Sequence, residues 1–114
     1  MIKYWLVSLI SVSARDEVVG LLREKYLKVL EDMSKNIVVE KTVKAEAVRR
    51  IDILAEKSVT LGGDPRAVLG GLVFLIENEK GMPDRSPKLA EALNLAGNSV
   101  TENSRRLAIH FRKS

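Results

Sequence analysis

The stretch "DPRAVLGGLVFLIEN", residues 64–78, limits what this chain can fold into more than any other. Asp64-Pro65 is a helix start signal: the aspartate can accept from a first-turn N–H, and proline suits the first helical position. The segment that follows is apolar on almost every side. A helix with no polar face to offer water must be wrapped by others, so residues 64–77 are expected to form the buried central helix of an all-α fold. Gly70-Gly71 in its middle costs about 1 kcal/mol per glycine in helix propensity. That cost is tolerated where a neighbouring helix must come close to the backbone. As a phosphate loop the glycines fail, because no Gly-Lys-Ser/Thr follows and no strand precedes.

Around this helix the apolar spacing predicts its wrapping. Ser13 with Asp16 resembles a capping box, and Val18, Val19, Leu22, Tyr26, Val29, Leu30 and Met33 keep a 3.6-residue period to about residue 33. "KNIVVEK" (35–41) reads as a connector. A helix over 43–58 places Ala47, Val48, Ile51, Leu54 and Ala55 on one face. Gly81-Met82-Pro83 breaks the chain, and helices over 86–93 and 99–112 complete a set of five. No strand-rich segment, repeat or low-complexity tract is present.

The first residues, "MIKYWLVSLISVSA", superficially resemble a signal peptide. They are shorter than the usual 15–30 residues, broken by Ser8 and Ser11, and too short to span a bilayer. Ile2, Trp5, Leu6, Leu9 and Ile10 fall on one helical face. Residues 1–12 are therefore expected to be an amphipathic extension that docks on the domain (13–114) or on a second copy, giving a homodimer. A cytoplasmic protein with no membrane partner is the expectation.

Composition narrows the chemistry. At 114 residues the chain is long enough for one domain with a real core. The absence of cysteine excludes disulfides, thiolate nucleophiles and cysteine-ligated zinc. Glutamine is also absent, and Lys, Arg and Glu are abundant, in keeping with a heat-adapted intracellular protein. His110 is the lone histidine and the acidic residues are scattered over helix faces, mostly with basic residues three or four positions on. Nothing assembles a nucleophile, a base and an oxyanion site, so catalysis, a metal or a cofactor is not expected.

Charge placement is more telling than its total. Residues 1–84 carry equal numbers of basic and acidic side chains, so the whole net charge of +4 falls within residues 85–114. There Arg85, Lys88, Arg105, Arg106, Arg112 and Lys113 stand against Glu91 and Glu102. A basic patch concentrated on one element is the electrostatic footprint of a polyanion binder; a merely solvated helix face is the other reading.

The same region has the pattern of a helix-turn-helix over 86–112. Leu89, Ala90 and Leu93 would face inward, with Ala90 small enough for a close crossing. Asn94 stands where a residue tolerant of positive φ is needed, and Leu95 closes the turn. Val100, Ser104, Leu107, Ala108 and Phe111 make the buried stripe of the last helix. Its opposite face carries Asn98, Ser99, Thr101, Glu102, Arg105, Arg106 and Arg112, side chains that suit base edges and phosphates. Arg105, Arg106, Arg112 and Lys113 would anchor phosphates, and Asn98, Ser99, Thr101 and Glu102 would face bases. Short helical hairpins without DNA contacts are also common.

The block "AEAVRRIDILAEKSVTLGGDPRAVLGGLVFLIENEKGMPDRSPKLAEALNLAGNSVTENSRRL" resembles one cyclin-like repeat of general transcription initiation factor B, especially its archaeal form. The parts in common are the helix Ala45–Ser58, the capped Asp64-Pro65 start, the small-residue-rich Ala67–Ile76, the Lys80–Arg85 turn and the pair of helices over Pro87–Arg106. The resemblance implies a five-helix cyclin-like bundle whose last two helices contact promoter DNA in the major groove, with a TATA-binding protein as neighbour. It adds Arg85 and Ser86, at the motif's entry, to the DNA-facing residues. The chain departs from the family in having one repeat and no cysteine-ligated zinc ribbon, and Glu102 is acidic where the family tends to be polar or basic. The expectation is therefore a stand-alone cyclin box, a degenerate relative or a module working with partners, and not a complete initiation factor.

A DNA-binding transcription regulator is the expected function. The alternative is a protein-interaction module whose groove is formed by the central helix and its neighbours, without DNA binding.

Overall fold

The computed structural model describes residues 2–61 and 63–111, with side chains placed for 17–57 and 63–111. Five helices follow in order: α1 (Ile2–Asn36), α2 (Lys41–Leu61), α3 (Pro65–Glu79), α4 (Ser86–Ala92) and α5 (Ser99–Phe111). The described residues contain no strand, so the chain is all-α. No helix among them is long and apolar enough to cross a membrane.

The fold is organised by α3, against which every other helix packs, α5 most extensively. Its start follows the sequence signal: Asp64 Oδ1 accepts from the N–H of Arg66 at 3.0 Å, and Pro65 takes the first position. Leu69, Leu72, Val73 and Ile76 are fully enclosed. They meet Tyr26, Leu30 and Met33 of α1, Val43, Ala47, Ile51 and Leu54 of α2, and Leu89, Val100 and Leu107 from α4 and α5 in one core.

The glycine pair explains how α5 comes so close. A Cβ built on Gly71 would lie 2.7 Å from the backbone nitrogen of Ser104 and 2.7 Å from Asn103 Cβ. Any side chain there would drive the helices apart. At Gly70 the obstacle is softer, since the nearest atom is Leu93 Cδ1, the end of a flexible side chain, at 2.8 Å.

Both breaks after α3 are closed in the same way. Gly81 adopts φ 71°, and the N–H of Met82 donates to Glu77 O at 3.0 Å while that of Gly81 donates to Asn78 O. After α4, Asn94 adopts φ 55°, and the N–H of Leu95 donates to Ala90 O at 2.8 Å while that of Asn94 donates to Glu91 O. These are Schellman ends, with glycine in one and asparagine in the other supplying the left-handed residue.

Two expectations need correction, at Ser13 and at Val48. No helix opens at Ser13: α1 runs uninterrupted from Ile2 through the Ser13-Asp16 pair. A capping signal starts a helix only when the chain before it leaves helical geometry, and no glycine or proline lies within residues 2–19 to force that. The expected docking of Trp5, Leu6 and Leu9 lies outside the described side chains. Val48 is more than a third exposed, whereas Arg50 and Glu77 are buried. The α3 surface is thus not apolar throughout, and its last turn encloses a carboxylate.

Candidate nucleic-acid interface

Helix α5 is built as a two-sided element. Val100, Ser104 and Leu107 are buried against α3, with Ala108 and Phe111 half-buried at the margin. With 100° per residue, this leaves Asn98, Glu102, Arg105, Arg106 and Ile109 on the outward strip, all of them exposed. Ser99 and Thr101 are half-buried beside it.

Local hydrogen bonds order the start of the strip. The Thr101 hydroxyl donates to Asn98 O at 3.0 Å, and Asn103 Nδ2 donates to Ser99 O at 2.8 Å. Asn98 Nδ2 donates to Glu102 Oε1 at 3.1 Å. Arg105 and Arg106 meet no carboxylate among the described residues; Arg106 reaches only the side-chain oxygen of Asn103, at 3.5 Å. Two guanidinium groups therefore stand in solvent one position apart.

Structure and sequence part company at the entry to α4. Arg85 and Ser86 do not face outward. The Arg85 guanidinium donates to both carboxylate oxygens of Glu77, at 2.5 and 3.3 Å, and Glu77 is 1% exposed. That carboxylate holds Arg85 above its ordinary pKa. A cation committed to a buried acid is not available to a phosphate without leaving that acid unpaired. Ser86 is buried at 7% exposure, its N–H donating to Asp84 Oδ1 at 2.8 Å. Arg112 and Lys113 lie outside the described residues. The structure thus brings together Asn98, Thr101, Glu102, Arg105 and Arg106, with Ser99 alongside.

Sequence reasoning missed the anchorage behind the strip. Arg50 of α2 is 8% exposed and donates to both oxygens of Glu79 at 2.7 and 2.8 Å and to Glu46 at 2.9 Å. Its guanidinium carbon lies 4.9 Å from the centre of the Phe111 ring, a cation–π contact at the C-terminal end of α5. Half-buried His110 lies nearby, with Nδ1 3.5 Å from Lys57 Nζ. Arg50 therefore ties α2, α3 and the end of α5 together. The only sequence hint was a basic residue one step from the apolar Ala47/Ile51 face. Ile109, 70% exposed between the basic positions, is an apolar side chain on the outward strip that no pattern in the sequence marks.

Elsewhere, an open groove of about 410 Å³ lies between the end of α1 and α4, lined by Asn36, Ile37, Lys88, Glu91 and Ala92. Comparison with protein-family models, with curated proteins and with solved structures gives no match.

Proposed function

We propose that this chain binds double-stranded DNA, with α4, the Asn94 turn and α5 acting as a helix-turn-helix on a single cyclin-like domain. The observation that carries the reading is the outward strip of α5, where Arg105 and Arg106 stand exposed and unpaired among the described residues beside polar Asn98 and Thr101. Unpaired cations on a helix rigidly seated by its other face can approach phosphates without first giving up a partner. The resemblance to initiation factor B supports the same reading and adds a promoter protein, such as a TATA-binding protein, as a proposed neighbour. Arg85 and Ser86 take no part in the contact set in this form of the proposal.

The test is charge reversal. Arg105→Glu together with Arg106→Glu leaves the Val100/Leu107 stripe untouched and replaces two attractions by two repulsions. Duplex affinity should fall by orders of magnitude while circular dichroism and melting temperature stay nearly constant. Wild-type protein at low salt should bind nonspecific duplex in roughly the micromolar range or tighter. No binding there, alone or with a TATA-binding protein, defeats the proposal in favour of a protein-interaction module. For such a module the groove the structure offers lies between the end of α1 and α4, in place of the one expected on the central helix, and Val38, next in sequence to its lining residue Ile37, is 83% exposed.

A further inference from the structure

Glu102 is out of place on a helix face meant for a polyanion. Its neighbours make the oddity sharper. Arg106 lies four residues C-terminal, the spacing and order in which a glutamate and a cation pair best on a helix, and Arg105 lies three. Neither pair forms; the carboxylate instead takes the Asn98 amide at 3.1 Å through Oε1. The second oxygen has no partner among the described residues, and the side chain is exposed on the same strip as the two arginines.

A carboxylate can only accept, so it repels phosphates and needs a donor on a base edge. In the major groove guanine offers N7 and O6, both acceptors, and thymine offers O4 and a methyl group. Adenine offers its N6 amino group beside N7, so a carboxylate there meets an acceptor along with the donor. Cytosine alone presents an amino donor, N4, with no acceptor of its own next to it.

Resting on the DNA-binding reading above, we infer that Glu102 reads the N4 amino group of a cytosine in the major groove, with Asn98 as the residue that positions its carboxylate. The arginines supply affinity; Glu102 takes some of it away everywhere except where a cytosine returns a hydrogen bond.

Glu102→Gln tests this without disturbing the local fold, because glutamine keeps an oxygen for Asn98 Nδ2. Bound sequences are selected from a randomised duplex pool at low salt with wild type and variant, and affinities are then measured on matched duplexes differing at the selected position. Wild type should enrich cytosine at one position. The variant should bind nonspecific duplex more tightly, having lost a negative charge, yet its preference for cytosine over thymine should fall roughly tenfold or more. Asn98→Ala should lower the same preference by a smaller factor. If wild type binds DNA with no cytosine preference, or if Glu102→Gln leaves the preference intact, the role of Glu102 is overturned while DNA binding stands. If wild type binds no duplex even at low salt, both readings are overturned together.

Discussion

Along α3, Gly71 meets the α5 backbone at Asn103 and Ser104 directly and Gly70 meets the side-chain ends of Leu93 and Val100, whereas the half from Ile76 onward holds its neighbours through charges. Glu77 reaches Arg85 in the loop before α4, and Glu79 reaches Arg50 on α2. The two halves are therefore vulnerable to opposite changes. The glycine half can lose nothing more and fails when an atom is added. The charged half tolerates loss at its exposed ends and fails when a buried group is left without its partner.

The largest effect is expected at the most enclosed partner. Arg85→Met strands Glu77, which is 1% exposed, and should destabilise the fold by about 3–5 kcal/mol in chemical denaturation. Glu77→Met should cost distinctly less, because the Arg85 side chain is 24% exposed and can turn to water. The double variant Glu77→Met/Arg85→Met should recover most of the loss. Equal losses in the two single variants would show that the pair is not enclosed on the Glu77 side.

The next effect probes the other half. Gly71→Ala places a carbon 2.7 Å from the Ser104 nitrogen, where only movement of α5 can relieve it. Overpacking of this kind costs about 1–3 kcal/mol, and it outweighs the gain of about 1 kcal/mol in helix propensity from alanine. Gly70→Ala should cost less than Gly71→Ala, since Leu93 Cδ1 can rotate away. A melting temperature raised by Gly71→Ala would break the comparison, because propensity would then outweigh contact.

The same contrast accounts for what was legible in the sequence. Features set by local rules were readable: the Asp64-Pro65 start, the break at Gly81-Met82-Pro83, the left-handed Asn94 end, the close approach at the glycine pair, and the Val100/Ser104/Leu107 stripe. Each depends on residues within one or two turns or on the absence of a side chain. The charged half was not readable. Arg50 and Glu79 are 29 positions apart, and nothing in a list of charges says which carboxylate a buried cation will claim. Arg85 entered the DNA-facing set through the resemblance alone, and no local rule pointed to its engagement with Glu77. The exposed strip of Asn98, Glu102, Arg105 and Arg106 was legible because it is the complement of an apolar stripe.

A smaller effect is expected where the charged half reaches the surface. Arg50→Met removes its bonds to Glu46 and Glu79 and the contact with Phe111, yet the Glu46 and Glu79 side chains keep 28% and 42% of their exposure and remain hydrated. The cost should be about 1–2 kcal/mol, well below that of Arg85→Met. Because Arg50 also anchors the end of α5, hydrogen exchange should quicken at residues 108–111 more than at 100–104. Uniform quickening along α5 would show that Phe111 is not held by Arg50.

The smallest effect is a matter of pH. Hydrogen bonds from Arg49 and then from Arg50 hold Glu46 at about 2, below its ordinary 4.5, despite the opposing effect of desolvation. A carboxyl whose folded pKa is depressed binds its proton more readily when unfolded, so its contribution is complete above about pH 4.5 and is lost as the pH falls through 2. Asp64, held down by the Arg66 side chain and N–H, and Asp84, held down by the Ser86 N–H, act in the same direction. Because Arg49 is exposed, solvent screens most of the interaction, and Glu46→Gln should cost no more than about 1 kcal/mol at neutral pH. The gap between wild type and Glu46→Gln should narrow steadily as the pH is lowered from 4.5. A gap of constant size would mean that Glu46 contributes through packing and not through charge. Carboxyl NMR adds a direct reading: Arg49→Ala should move the Glu46 titration upward from about 2 toward 4.5, and an unmoved titration would transfer the leading role to Arg50.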